Sequence, residues 1–265
     1  MGAQAYDFAN LLFSGPCNAR CSFCIGRQID PRLNVNNLDR FPPANLEAFL
    51  EQMHTHQVEK LVFSGTNTDP QLYRHEARLL AYLRQRLPEG TCFALHTNGR
   101  LALRKLALVN QYDQVCISFP SFNPPTYRAV MGVAHPPDLA QIVARAQVPV
   151  KVSCVVVEAN RREMGEFLGR CREVGVPRVV LRKLFGEERT WAELLDPASL
   201  GLLVRQGIYR NNPVYDYQGM QVTLWDFGRC ASTSINLFSS GAISSQYLLA
   251  GKTLPLPALA APGAA

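Results

Sequence analysis

The sequence predicts an α/β protein built on a parallel sheet. Three observations carry this. Six short apolar segments rich in Val, Ile, Leu and Phe recur between residues 8 and 185, amphipathic helical patterns fall between them, and a polar cysteine-rich loop follows the first. The alternation implies right-handed crossovers. Six such units can curl into an open partial barrel or lie flat as a doubly wound sheet, and in both the loops after the strand ends carry the chemistry. With 265 residues, 47% of them hydrophobic, the chain can bury one sizeable core.

In chain order, the strand segments are FANLLFS (8–14), EKLVFSG (59–65), TCFALHT (91–97), QVCISFP (114–120), VPVKVSCVVV (148–157) and PRVVLRKLF (177–185). Leu46, Phe49, Leu50 and Met53 follow helical spacing, with Asn45 as the expected N-cap. Leu72, Leu79, Leu80 and Leu83 form a second stripe, opened by the Asp-Pro pair at 69–70. Phe167, Cys171 and Val174 form a third. After about residue 200 the pattern changes. NPVYDYQGMQVTLWDF (212–227) reads as a hairpin with a Gln-Gly turn, and INLFSSGAISSQYLL (235–249) as a second with a Ser-Ser-Gly turn. The end, LPLPALAAPGAA, is a loose Pro/Ala-rich tail.

The formal charge is +6, with basic residues scattered among acids. That pattern is weak evidence for nucleic acid and fits an anionic small ligand about as well, and a merely soluble surface accounts for it best. No apolar run approaches the ~20 residues of a membrane span, and the start, MGAQAYDFAN, lacks the basic and apolar regions of a secretory signal. A cytoplasmic location is expected. In a reducing compartment the eight cysteines point to metal binding or catalysis rather than disulfides.

Three of them, Cys17, Cys21 and Cys24, lie within GPCNARCSFC (15–24). A tetrahedral zinc site wants four ligands, and no further Cys or His follows at finger spacing. Three thiolates suit a [4Fe–4S] cluster with one iron lacking a protein ligand. An electron carrier or sensor, a zinc module and three buried structural cysteines are the other readings.

The C-x3-C-x2-C spacing, with Phe23 before the last cysteine, resembles the signature of the radical S-adenosylmethionine (SAM) superfamily. The resemblance implies that Cys17, Cys21 and Cys24 ligate three irons and that SAM chelates the fourth. Reductive cleavage of SAM then yields a 5′-deoxyadenosyl radical that abstracts hydrogen from substrate. It also implies a partial (β/α)6 TIM barrel with a small C-terminal β-rich cap: a core over 1–200 and an extension over 201–265. Further matches fall at the strand ends. Ser64, Gly65, Thr66 and Asn67 stand where the family has its Gly-Gly-Glu stretch, with Thr and Asn replacing the second Gly and the Glu. Thr97, Asn98, Ser118 and Ser153 stand at strand ends that approach SAM in the family.

The overall texture resembles the branch holding the GTP cyclase of molybdenum-cofactor synthesis and its antiviral nucleotide-acting relatives. Lys151 and Arg182 fall where that branch places basic residues toward an anionic ligand. The branch's second cysteine triplet is missing: only Cys230 lies in that region, where it is either a hydrogen donor to a substrate radical or an inert thiol. Cys92, Cys116, Cys154 and Cys171 are expected to be buried structural residues. The resemblance implies an oxygen-sensitive enzyme with one [4Fe–4S] cluster and SAM, a small, anionic, nucleotide-like substrate, and a flavodoxin- or ferredoxin-type electron donor. A peptide-modifying maturase is the alternative.

Overall fold

The structure, a computed structural model, describes residues 6–246. The tail and the last three residues of the second expected hairpin lie outside the described residues. In chain order the strands are β1 (Phe8–Phe13), β2 (Lys60–Gly65), β3 (Cys92–Thr97), β4 (Gln114–Ser118), β5 (Val150–Val155), β6 (Arg178–Arg182), β7 (Val204–Tyr209), β8 (Asn212–Tyr217), β9 (Met220–Trp225), β10 (Ser234–Leu237) and β11 (Ile243–Ser244). The helices are α1 (Leu46–Thr55), α2 (Glu76–Arg86), α3 (Leu106–Val109), α4 (Pro124–Met131), α5 (Leu139–Arg145), α6 (Met164–Glu173), α7 (Trp191–Leu194) and α8 (Pro197–Gly201). All six strands expected before residue 190 form, each within three residues of the sequence-based bounds. The fold is α/β on parallel strands, in keeping with an open, partial barrel.

The chain divides into two compact units: residues 1–16, 24–91 and 233–265, and residues 17–23 and 92–232. The β-rich C-terminal segment is therefore shared, with β7–β9 in the second unit and β10–β11 in the first.

In the first unit the strand order is β11-β10-β1-β2. β1 runs parallel to both β2 and β10, and β10 and β11 form the second expected hairpin. Leu46, Phe49, Leu50 and Met53 of α1 are all buried, as their spacing predicts. Asn45 does not cap α1 with its side chain. It adopts a left-handed φ of 62° and donates its amide to the Gly241 carbonyl at 3.1 Å. The second stripe is also interrupted. Asp69 accepts from the Gln71 amide to open a short 3-10 turn over Pro70–Leu72, and α2 begins only at Glu76. Asn10 on β1 donates to Asn236 on β10 at 2.7 Å, which satisfies two amides in an otherwise apolar interior.

In the second unit the order is β3-β4-β5-β6-β9-β8-β7. The five strands β3, β4, β5, β6 and β9 are parallel, and β7–β9 form an antiparallel meander. Gln218 and Gly219, both at positive φ, make the expected tight turn between β8 and β9. In-register neighbours share a face of the sheet. One face carries Leu95, Val115, Ile117, Val152, Cys154, Val179, Leu181, Val222 and Leu224, all buried. The Cys154 Sγ lies 3.9 Å from the Met164 Sδ of α6, so helices cover this face. The opposite face carries His96, Cys116, Ser118, Lys151, Ser153, Arg182, Thr223 and Trp225. Fully covered parallel sheets are apolar on both sides. A polar second face needs water or a ligand against it.

Lys183, one residue past β6, falls on the other side of the strand from Arg182. It is buried and pairs with Asp226 at 2.9 Å, their side chains 6% and 17% exposed. Burial is the largest single influence and disfavours the Asp226 charge, but the Lys183 hydrogen bond, the Gly228 amide and the Lys183 and Arg229 charges together outweigh it and hold the carboxyl below its ordinary range. Lys183→Ala is expected to destabilise the protein by about 3 kcal/mol, because it leaves the carboxylate without its partner. Denaturant unfolding measures the loss. The depressed folded value means the pair's contribution is present above the ordinary carboxylate range near about pH 4 and disappears as pH falls through the folded value. The wild-type advantage over Lys183→Ala should therefore shrink on acidification.

Candidate active site

The cysteine loop leaves the end of β1, and the first unit holds its beginning and its end. Asn67, just past β2, accepts from the Ser14 hydroxyl at 2.8 Å and from the Gly15 amide at 3.0 Å. The Thr66 amide donates to the Phe13 carbonyl at 2.9 Å, and the Thr68 hydroxyl to the Pro16 carbonyl at 2.7 Å. On the far side of the loop the Cys24 Sγ lies 3.6 Å from the Thr66 carbonyl. Gly26 packs so tightly that a Cβ would stand 2.7 Å from that same carbonyl. At Gly65 a Cβ would meet the Thr68 carbonyl at 1.6 Å, so only glycine lets the chain turn there.

Residues 64–67 are expected from sequence to touch SAM. The structure gives Thr66 and Asn67 another task as well: their side-chain oxygens are committed to Phe13, Asn34, Ser14 and Gly15. Among the described residues, the Ser64 hydroxyl and the NH2 of Asn67 remain without a partner.

The second unit holds the middle of the loop. The Arg20 amide donates to the Met131 carbonyl at 2.9 Å, and the Ser22 amide to Val130 at 3.2 Å, so the C-terminal end of α4 grips the stretch between Cys17 and Cys24. Gly132 ends α4 at φ +67°, and a Cβ there would lie 2.5 Å from the Arg20 carbonyl. The Cys21 Sγ rests 3.6 Å from the Met131 Sδ. Asn98, after β3, donates to the Asn18 side chain at 2.7 Å. Cys17 is exposed, Phe23 half-buried, and the Cys17 Sγ accepts from the Ala19 amide at 3.4 Å.

Ser118 and Ser153 stand in register on β4 and β5, and neither hydroxyl has a protein partner among the described residues. Thr97 does not join them. It is in register with Ile117 on the helix-covered face, and its hydroxyl accepts from the Gly99 amide to close the turn. Lys151 shares the serines' face but stands near the start of β5, in register with Arg178. It lies four positions before Val155, about 13 Å of strand from the C-terminal end. Arg182 does stand at a strand end, in register with Trp225. Cys230 is half-buried in the loop after β9, its Sγ accepting only from the Ser232 amide.

Of the structural cysteines, Cys116, Cys154 and Cys171 are buried, and burial pushes the Cys154 and Cys171 thiols well above their ordinary range. Cys92 is half-buried, contrary to expectation, because it opens β3 beside the Gln114 amide. Trp225 and Phe227 were legible only as hairpin residues. Nothing in "TLWDF" signals that they flank Arg182, which depends on β9 joining β6 rather than only β8.

No three Cys, His, Asp or Glu side chains among the described residues converge on a point where one metal ion could sit. This fits the cluster better than zinc. A single ion requires donors that meet at one point, whereas a four-iron cluster takes each thiolate on a different iron. The donor set also suits soft iron–sulfur ligation: three cysteines outside any disulfide on a polar loop.

The radical SAM superfamily model matches residues 11–196, and the chain belongs to that superfamily. Its members are enzymes that use a [4Fe–4S] cluster together with SAM. No curated protein matches the sequence. Among solved structures, Streptococcus suis SuiB bound to the precursor peptide SuiA is similar at a TM-score of 0.62 and 14% identity, covering 91% of this chain and 60% of SuiB. SuiB bound to S-adenosylmethionine is similar at 0.54 and 15%, covering 71% of this chain and 41% of that one. Native anSMEcpe with bound AdoMet is similar at 0.51 and 17%, covering 72% and 57%. The chain thus spans less than two thirds of each, and at these identities the likeness is one of fold. No helix among the described residues is long and apolar enough to cross a membrane.

Gly132→Ala is expected to loosen residues 20–22 without unfolding the protein. In the cluster-free chain, alkylation of Cys21 should speed up relative to wild type while the circular dichroism spectrum is kept. An unchanged alkylation rate would mean that α4 does not hold the loop.

Proposed function

We propose that this enzyme abstracts hydrogen from a small, anionic, nucleotide-like substrate, with Cys17, Cys21 and Cys24 as the three cluster ligands. The observation that carries the substrate reading is the polar face of β3–β6 and β9. There Ser118, Ser153, Lys151 and Arg182 bring hydroxyls and cations without protein partners among the described residues, and the Arg182 Nε is buried, where an unpaired polar group is costly. When bound, the cluster supplies the electron that cleaves SAM to a 5′-deoxyadenosyl radical. The chain's own contribution is to hold the loop, to offer Ser64, Gly65, Asn67, Asn98, Ser118 and Ser153 to SAM, and to meet the substrate anion with Arg182.

Phe23 flanks the cluster, and Cys230 is a candidate hydrogen donor. The family match ending at residue 196 supports a radical SAM core over 1–200 with an extension over 201–265. A cytoplasmic location, a flavodoxin- or ferredoxin-type donor and nearness to the cyclase branch complete the reading. The electron-carrier and zinc-module readings give way to the family assignment.

Anaerobic reconstitution with iron and sulfide, followed by SAM and dithionite, tests the proposal. About four irons per chain are expected, with 5′-deoxyadenosine detected by chromatography. Both should be lost in Cys17→Ala, Cys21→Ala and Cys24→Ala. Iron and deoxyadenosine retained in any one of these variants would remove that cysteine from the ligand set.

A further inference from the structure

We propose that Arg182, Trp225 and Phe227 form the substrate-recognition site, and that it takes a small molecule in which a phosphate or carboxylate lies beside a flat ring. The inference rests on the enzymatic reading above and deepens it by assigning the substrate's anion and its ring to named side chains. The Arg182 guanidinium makes no hydrogen bond or ion pair among the described residues. Its carbon lies 5.7 Å from the Trp225 ring centre and 5.8 Å from that of Phe227, and its Nε is buried without an acceptor. Glu187, the nearby carboxylate that could have neutralised it, is bound to Arg189 at 2.7 Å.

Trp225, in register with Arg182, likewise has a buried indole N–H with no acceptor. Two adjacent donors without acceptors call for an oxygen-rich partner, and a guanidinium edge meets a phosphate or carboxylate through paired hydrogen bonds. Lys183 shows that this is no general feature of the strand end, since the neighbouring cation has its own aspartate.

The aromatic side chains supply the second half of the specificity. Phe227 is 40% exposed and Phe185 48% exposed, with ring centres 6.5 Å apart, and Trp225 stands 6.4 Å from Phe227. Large rings left open to water beside an unsatisfied cation suit a ligand that stacks a ring while its anion reaches the arginine.

Calorimetry on the cluster-loaded protein, with SAM saturating and no reductant, tests this with four probes. Uridine 5′-monophosphate and indole-3-carboxylate join a ring to an anion; uridine and inorganic phosphate are the separate halves. At least one ring-bearing anion should bind about tenfold or more tighter than either half, and which of the two binds separates a phosphate from a carboxylate substrate. Arg182→Gln and Phe227→Leu should each weaken that binding about tenfold. The site is overturned if neither ring-bearing anion binds, if they bind no better than inorganic phosphate, or if folded variants keep wild-type affinity. The comparison of probes on the wild-type protein stands even if a variant fails to fold. Deoxyadenosine formation on adding dithionite is read separately. If it forms without ring-anion binding, this site alone falls. Binding without deoxyadenosine overturns the enzymatic reading and leaves the site.

Discussion

The grip of two secondary-structure ends on one irregular loop is the constraint on which the site depends. Residues 14–26 form no regular structure beyond a single 3-10 turn, so their backbone groups need partners from elsewhere. Asn37 supplies them at Ser14, the end of β2 at Gly15 and Pro16, and the end of α4 at Arg20 and Ser22. Glycines stand where the approach is closest, at 65, 26 and 132. Three thiols on a free loop would lose much conformational entropy on taking up a cluster. On a loop held at both ends and in the middle, much of that ordering is complete beforehand.

The second organising feature is the contrast between the faces of the sheet in residues 92–232. The helix-covered face is packed with Val, Leu and Ile and contains thiols that burial has silenced. The other face carries serines, a lysine and an arginine whose side-chain polar groups lack protein partners among the described residues. The same sequence alternation builds both, since every second residue turns to the opposite side. A neutral structural role would have paired these groups, as the protein does for Asn10 with Asn236 and for Lys183 with Asp226.

Much of this was legible in the sequence. The six parallel strands announced themselves as apolar runs, and the α1 stripe by its spacing. The Gln218–Gly219 turn was marked by its glycine, which takes a positive φ without strain, and Gln218 follows it into the same region. The cysteine spacing singled out the loop proposed to hold the cluster. What stayed hidden depends on long-range pairing. β7 has almost no buried side chain, and its turn at Arg210–Asn211 lacks the usual glycine, so no local signal marked it. That Thr97 faces away from Ser118 follows from register, which a strand-end motif does not encode. The dual role of Thr66 and Asn67 is also invisible locally, since it is the geometry of β1 beside β2 that brings Ser14 and Gly15 to them.

The central claim is that this loop carries a cluster with an iron left open for SAM. Electron paramagnetic resonance of the reconstituted, dithionite-reduced protein tests it most directly, recorded without and with SAM at low temperature. The account predicts a reduced [4Fe–4S] signal whose shape changes when SAM is added, because SAM enters the coordination sphere of an iron that no protein thiol occupies. A reduced cluster whose signal is identical with and without saturating SAM would contradict it.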